Sequence, residues 1–137
     1  MSSTPENTPE NTPEVGQKVV HRSYVPYSHA HYAGNLVDGA WGLGMFGDVA
    51  TELCIRTDGD EGLFASYSDV QFRAPVRAGD VVEASATLVR VGHRSRQMEF
   101  ALVVVARGEA GERSASAARV LAEPILATTA LGTVVVP

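Results

Sequence analysis

The chain has 137 residues, a formal net charge of −5 and a composition that is 45% hydrophobic and 20% charged, enough for one globular domain with a modest core. The acidic balance excludes a protein that grips nucleic acid through its phosphates. No apolar run approaches the roughly 20 residues of a membrane helix, and no basic stretch leading into an apolar one marks a signal peptide, so the expectation is a cytoplasmic protein with neither nucleic-acid nor membrane partners.

Residues 1–17 differ from the rest: TPEN recurs between Thr4 and Glu14, with almost no apolar content and with Glu6, Glu10 and Glu14 as the charges. A proline every fourth residue interrupts helices, and so polar a stretch cannot offset its own ordering entropy. The sequence therefore predicts a disordered tail over 1–17 and a single domain over 18–137. Residues 18–25 (KVVHRSYV) predict a first strand, followed by a loop rich in His, Tyr and Gly over 27–39. A helical pattern runs from about Asp38 to Arg56, with Phe46, Val49, Ala50 and Leu53 on one face, and TDGDEG (57–62) ends it. Residues 63–73 predict a strand with Phe64, Val70 and Phe72 on one face and Tyr67, Asp69, Gln71 and Arg73 on the other. Further strands are expected over 81–91 and 97–107, and another starts over 114–123, which Pro124 either interrupts or bends before 126–136. The class is α+β, one helix packed on a curved antiparallel sheet of five to six strands.

The helix holds Gly39, Gly42, Gly44 and Gly47 within nine residues. Each interior glycine costs roughly 0.5–1 kcal/mol against alanine, so close packing on the sheet, or a ligand at the helix N-terminus, is expected in return. Gly39 lies in the first turn, where free amides carry partial positive charge and suit a developing oxyanion. Asp38 stands at the N-cap, as a capping aspartate or as a catalytic carboxylate. Asp48 and Glu52, four apart, share a helix face, as a solvated stripe or as reactive groups. His29 and His31 lie in the preceding loop without the further ligands that a metal site requires. The single cysteine, Cys54, falls near the apolar face and reads as a buried thiol.

From Ala33 to Asp48 the sequence AGNLVDGAWGLGMFGD resembles the loop-and-helix signature of the acyl-CoA hot-dog thioesterases. More narrowly, HYAGNLVDGA (31–40), FGDVATEL (46–53), DGDEGLF (58–64), APVRAGD (74–80), SRQMEF (95–100) and GTVVVP (132–137) are similar to the 3-aminobutyryl-CoA and β-alanyl-CoA ammonia-lyases. That resemblance implies a hot-dog fold, a homodimer or higher oligomer with sheets joined edge to edge, and an acyl-CoA thioester at the subunit interface. It implies no cofactor, coenzyme A being part of the substrate, and no metal. It places Asp38 where the thioesterase pattern has a second glycine, which favours carbon chemistry beside the thioester over hydrolysis. Under this reading the amides of Asp38 and Gly39 hold the thioester oxygen, Glu52 is the base and Asp38 anchors the ammonium, or the two exchange roles. Asp48 is the alternative carboxylate and His31 an orienting group. Arg73, Arg77, Arg94, Ser95 and Arg96 are expected around the CoA phosphates, since the arginine fork suits phosphate. Thioester hydrolysis, and addition of another amine to an unsaturated acyl group on CoA or on an acyl-carrier protein, are the alternatives.

Overall fold

The computed structural model describes residues 12–137, and most of the TPEN repeat lies outside them. Five strands and one long helix follow in the order β1 (Lys18–Tyr24), α1 (Gly39–Asp58), β2 (Leu63–Phe72), β3 (Val81–Val91), β4 (Ser95–Gly108) and β5 (Ala118–Val135). All strand pairings are antiparallel, in the spatial order β1-β3-β4-β5-β2, so β1 and β2 form the two edges. α1 touches all five strands, most extensively β3. This is the hot-dog arrangement, a sheet wrapped around one helix.

The core follows from two periodicities meeting. α1 buries Phe46, Val49, Ala50, Leu53 and Cys54 at helical spacing. Against them β3 and β4 bury every second residue: Val82, Ala84, Ala86 and Leu88, then Met98, Phe100, Leu102 and Val104. The Phe46 and Phe100 rings stack with centroids 5.1 Å apart, locking the middle of the helix to the middle of the sheet. At the helix end Gly59 adopts the left-handed conformation (φ 67°) and its amide bonds Ile55 O, closing the last turn. The helix carries on into Asp58, whose carboxylate takes the Arg96 guanidinium at 2.7–3.1 Å.

Just before β1, the Gly16 amide donates to Leu88 O and the Leu88 amide to Gln17 O, so residues 16 and 17 pair with β3. At Pro124 the strand bends rather than breaks, and Ala118–Val135 is one strand, β5. Pro124 falls where the β4–β5 register shifts, between the Val104↔Ile125 and Ala106↔Val120 pairs, and a bulge needs no ladder amide from it. The strict alternation expected of 63–73 is broken by register irregularities between Phe64 and Ser66 and between Ser68 and Gln71. Phe64, Tyr67 and Val70 consequently pack on the core together, and Phe72 is 59% exposed. The Tyr67 hydroxyl donates to Leu43 O at 2.7 Å, tying the edge strand to α1.

Candidate active site at the N-terminus of α1

The start of α1 is held by the loop and turn that flank it. Gly34 and Asn35 take positive φ (77° and 62°), folding the loop back so that Tyr32 bridges to Leu36. The Val37 amide donates to Val76 O at 2.9 Å and the Ala78 amide to Asn35 O at 2.8 Å, which fixes the helix entry to the APVRAGD turn. That turn is in its own right organised by Asp80. Its fully buried carboxylate accepts the Arg77 amide at 2.8 Å and two Arg107 donors at 2.9 Å. A buried charge is tolerable only when paired and hydrogen-bonded in this way.

Asp38 occupies the N-cap backbone position (φ −73°, ψ 156°), yet its side chain makes no capping bond. Among the described residues its carboxylate has no hydrogen-bond partner in the protein, and the backbone amides of Asp38, Gly39 and Ala40 have no acceptor either. These groups line a cavity of about 610 Å³ whose walls include Trp41, Phe72 and Leu102. Gly39 is there because of a close approach: a methyl group on it would sit 2.4 Å from the Phe72 ring. Gly42 faces Leu102 at 3.0 Å in the same sense, whereas Gly44 and Gly47 face nothing within 4 Å in the single chain. Tight packing on the sheet thus explains Gly42 but not Gly44 or Gly47.

The other expected groups are dispersed. Asp48 is exposed and lies in a second groove, shared with β1, Trp41 and His29. Glu52 stands fourteen residues from Asp38, about 21 Å along the helix axis, so one chain does not bring them together. Both Glu52 oxygens are engaged, Oε1 with His21 Nε2 at 2.6 Å and Oε2 with Arg56 Nε at 2.8 Å. The His21 and Arg56 hydrogen bonds hold its carboxyl below the ordinary glutamate value. His31 is exposed, its ring edge-on to Tyr32 at 4.6 Å, and lines neither cavity. Arg73 stands at the cavity rim with its Nε on Thr129 Oγ1 at 3.2 Å, and Arg77 is exposed by Asn35 and Gly79. Arg94 and Ser95 lie beside the C-terminal end of α1, where Arg96 meets Asp58, about 30 Å from Asp38 by the length of the helix. Arg96 is 7% exposed and spends its donors on Asp58, Gly92 O and Ser95 O, so it has no free face for a phosphate. Burial pushes the Cys54 thiol up to about 11, which makes it inert.

The sequence reading missed His21, Asp80 and Arg107. Their pairings span 27 to 31 residues, and no local pattern signals them. No group of three or more His, Cys, Asp or Glu among the described residues could hold a metal ion. No helix among them is long and apolar enough to cross a membrane.

The sequence and the fold match a known class. Residues 36–110 match the family model of the thioesterase superfamily, more than half of the chain, and the chain belongs to that superfamily. Within it, the chain is 51% identical over 110 residues to the 3-aminobutyryl-CoA ammonia lyase of Acetoanaerobium sticklandii, a match covering 79% of this chain and 85% of that protein. The solved β-alanyl-CoA:ammonia lyase from Clostridium propionicum superposes with a TM-score of 0.83 at 38% identity, covering 90% of this chain and 87% of that one. The hexameric hotdog-fold thioesterase of Campylobacter jejuni shares the fold at a TM-score of 0.69 and 23% identity, covering 84% and 79% of the two chains.

Proposed function

We propose that this protein is a 3-aminoacyl-CoA ammonia lyase, reversibly removing ammonia from the β-carbon of a short-chain acyl thioester. The carrying observation is the Asp38 carboxylate, free of any bond to the protein, beside unpaired amides in a cavity of about 610 Å³. A thioester oxygen bound by those amides gains negative charge as the α-proton leaves, and such donors are each worth about 3–4 kcal/mol in comparable sites. With the oxygen held there, Asp38 is the nearest carboxylate to the α-carbon. We therefore assign it the base, the role that the sequence reading assigns first to Glu52 and, in exchange, to Asp38. It takes the α-proton, the carbon–nitrogen bond breaks, its electron pair leaves with ammonia, and the former carbon–hydrogen pair becomes the new double bond.

The departing ammonium needs an anion on its far side. Asp48 is the helical carboxylate with no partner among the described residues, whereas Glu52 is committed to His21 and Arg56. Asp48 lies about 15 Å from Asp38 along the same helix, so it serves the site from a second copy of the chain. The active species in this reading is a homodimer or larger assembly, working on CoA esters in the cytoplasm. The two homologous lyases support the chemistry through the substrates in their names.

Incubation with crotonyl-CoA and ammonium, followed by mass spectrometry, tests the reading. The expected product is the ammonia adduct with its thioester intact. Free CoA as the main product identifies a thioesterase instead, and an adduct formed only with a different amine identifies biosynthetic amine addition.

A further inference from the structure

One polar side chain in the cavity has no role so far. Thr128 of β5 is 4% exposed, lines the cavity, and has no hydrogen bond to any of the described residues. Every fully occluded side-chain oxygen and nitrogen among the described residues does have a partner, so what surface the hydroxyl retains opens into the cavity. Register fixes its direction. Thr128 stands opposite Leu102 of β4 on one side and Phe72 of β2 on the other. Residues in one such transverse row project from the same sheet face. The ends of this row touch the first turn of α1, Phe72 against Gly39 and Leu102 against Gly42. Thr128, between them, faces the space under the unpaired amides. Its immediate walls are apolar: Leu102, Phe72, Val37 and Val76.

A threonine hydroxyl kept unpaired at the floor of an apolar pocket is costly unless a ligand completes it. We infer that Thr128 is a specificity residue, its hydroxyl accepting a hydrogen bond from the 3-amino group of the bound acyl chain. This rests on the lyase reading for the identity of the chain's substituent. Beyond the thioester, the nitrogen on C3 is the only atom of such an acyl group that seeks a polar partner. A site built to hydrogen-bond a substrate N–H rejects the analogue lacking it, because the protein group is then left buried and unpaired.

Binding of two unreactive thioethers tests this: S-(3-aminobutyl)-CoA and S-butyl-CoA, titrated calorimetrically into the wild type, Thr128→Val and Thr128→Ser. Neither ligand has a carbonyl to acidify its α-carbon, so neither turns over. The wild type is expected to prefer the amino ligand. In Thr128→Val the preference should fall by about tenfold to a hundredfold, the range for a hydrogen bond to a charged group. The loss should fall on the amino ligand alone, and Thr128→Ser should restore the preference. Equal weakening of both ligands in Thr128→Val, meaning a structural role, overturns the inference. So does a wild type without preference, which keeps the test decisive even if the valine variant fails to fold. Failure of ammonia addition to crotonyl-CoA alongside an intact, Thr128-dependent preference would overturn the lyase reading and leave this one standing.

Discussion

Asp38 holds the backbone geometry of an N-cap without doing the work of one. In a helix start chosen for stability, an aspartate oxygen takes up an N-terminal amide and contributes about 1 kcal/mol. Here both the carboxylate and the amides stay free, which leaves the whole constellation to a ligand. The consequence separates function from stability. Asp38→Asn removes the proton acceptor but no existing bond, so unfolding free energy should change by less than about 0.5 kcal/mol. The rate of ammonia addition to crotonyl-CoA should fall by about 10²–10⁴-fold, the usual contribution of a general base. Denaturant titration and steady-state kinetics on the same preparation check both halves. A large loss of stability would return Asp38 to the capping role, and retained turnover would remove it from the chemistry.

At the scale of elements, Glu52 ties α1 to an edge strand. Its bridge to His21 connects the helix to β1, and the bond to Arg56, one turn on, steadies the carboxylate. Because these partners lower its folded-state pKa beneath the ordinary 4.5, the stabilisation is full above that value. It is lost as the pH falls through the lower folded-state value, where the folded protein too becomes protonated. Glu52→Gln should therefore cost about 0.5–1 kcal/mol at neutral pH, the scale of a half-exposed pair. In denaturant unfolding, its difference from the wild type should hold down to the ordinary glutamate value and shrink in more acid solution. A pH-independent difference would mean that packing, not the ion pair, is responsible. Measurable turnover is expected to survive in this variant, and its abolition in an intact fold would bring Glu52 back into the reaction.

The same scale shows why parts of the molecule were legible beforehand. The alternation of β3 and β4 and the helical spacing of Phe46, Val49, Ala50 and Leu53 are local, and each predicts its buried face directly. The β2 face was misread because its bulges are set by pairing with β5, 60 or so residues on, which no window of the β2 sequence contains. Pro124 left a break or a bend open for a related reason: whether a proline interrupts a strand depends on the register of its neighbour. In the site, the helix-start pattern exposed Asp38 and Gly39. The burial of Arg96 and the placing of Thr128 under the helix are long-range facts of the fold, and the sequence carried no mark of either.

At the scale of the whole molecule, the proposed reaction leaves a single chain with an incomplete site. Elimination acts on adjacent carbons, so its two anionic partners must lie within a few ångströms of one another's targets. Along α1, Asp38 and Asp48 are separated by about 15 Å. Two interior glycines, Gly44 and Gly47, meet nothing within 4 Å in one chain, although each costs about 0.5–1 kcal/mol against alanine. Gly44 lies in the same groove as Asp48. The proposed second copy, seated there, would account for both facts by bringing Asp48 to the neighbour's Asp38 and using the space the glycines leave. The arrangement makes a complementation experiment decisive. Asp38→Asn and Asp48→Asn should each be inactive alone. When equal amounts are unfolded together and refolded, random pairing in a two-fold dimer gives half the dimers one chain of each kind, with one intact site of two. About a quarter of the wild-type turnover should return. If both carboxylates acted from one chain, every site in the mixture would lack one of them and no activity would reappear. An active Asp48→Asn variant on its own would remove Asp48 from the site.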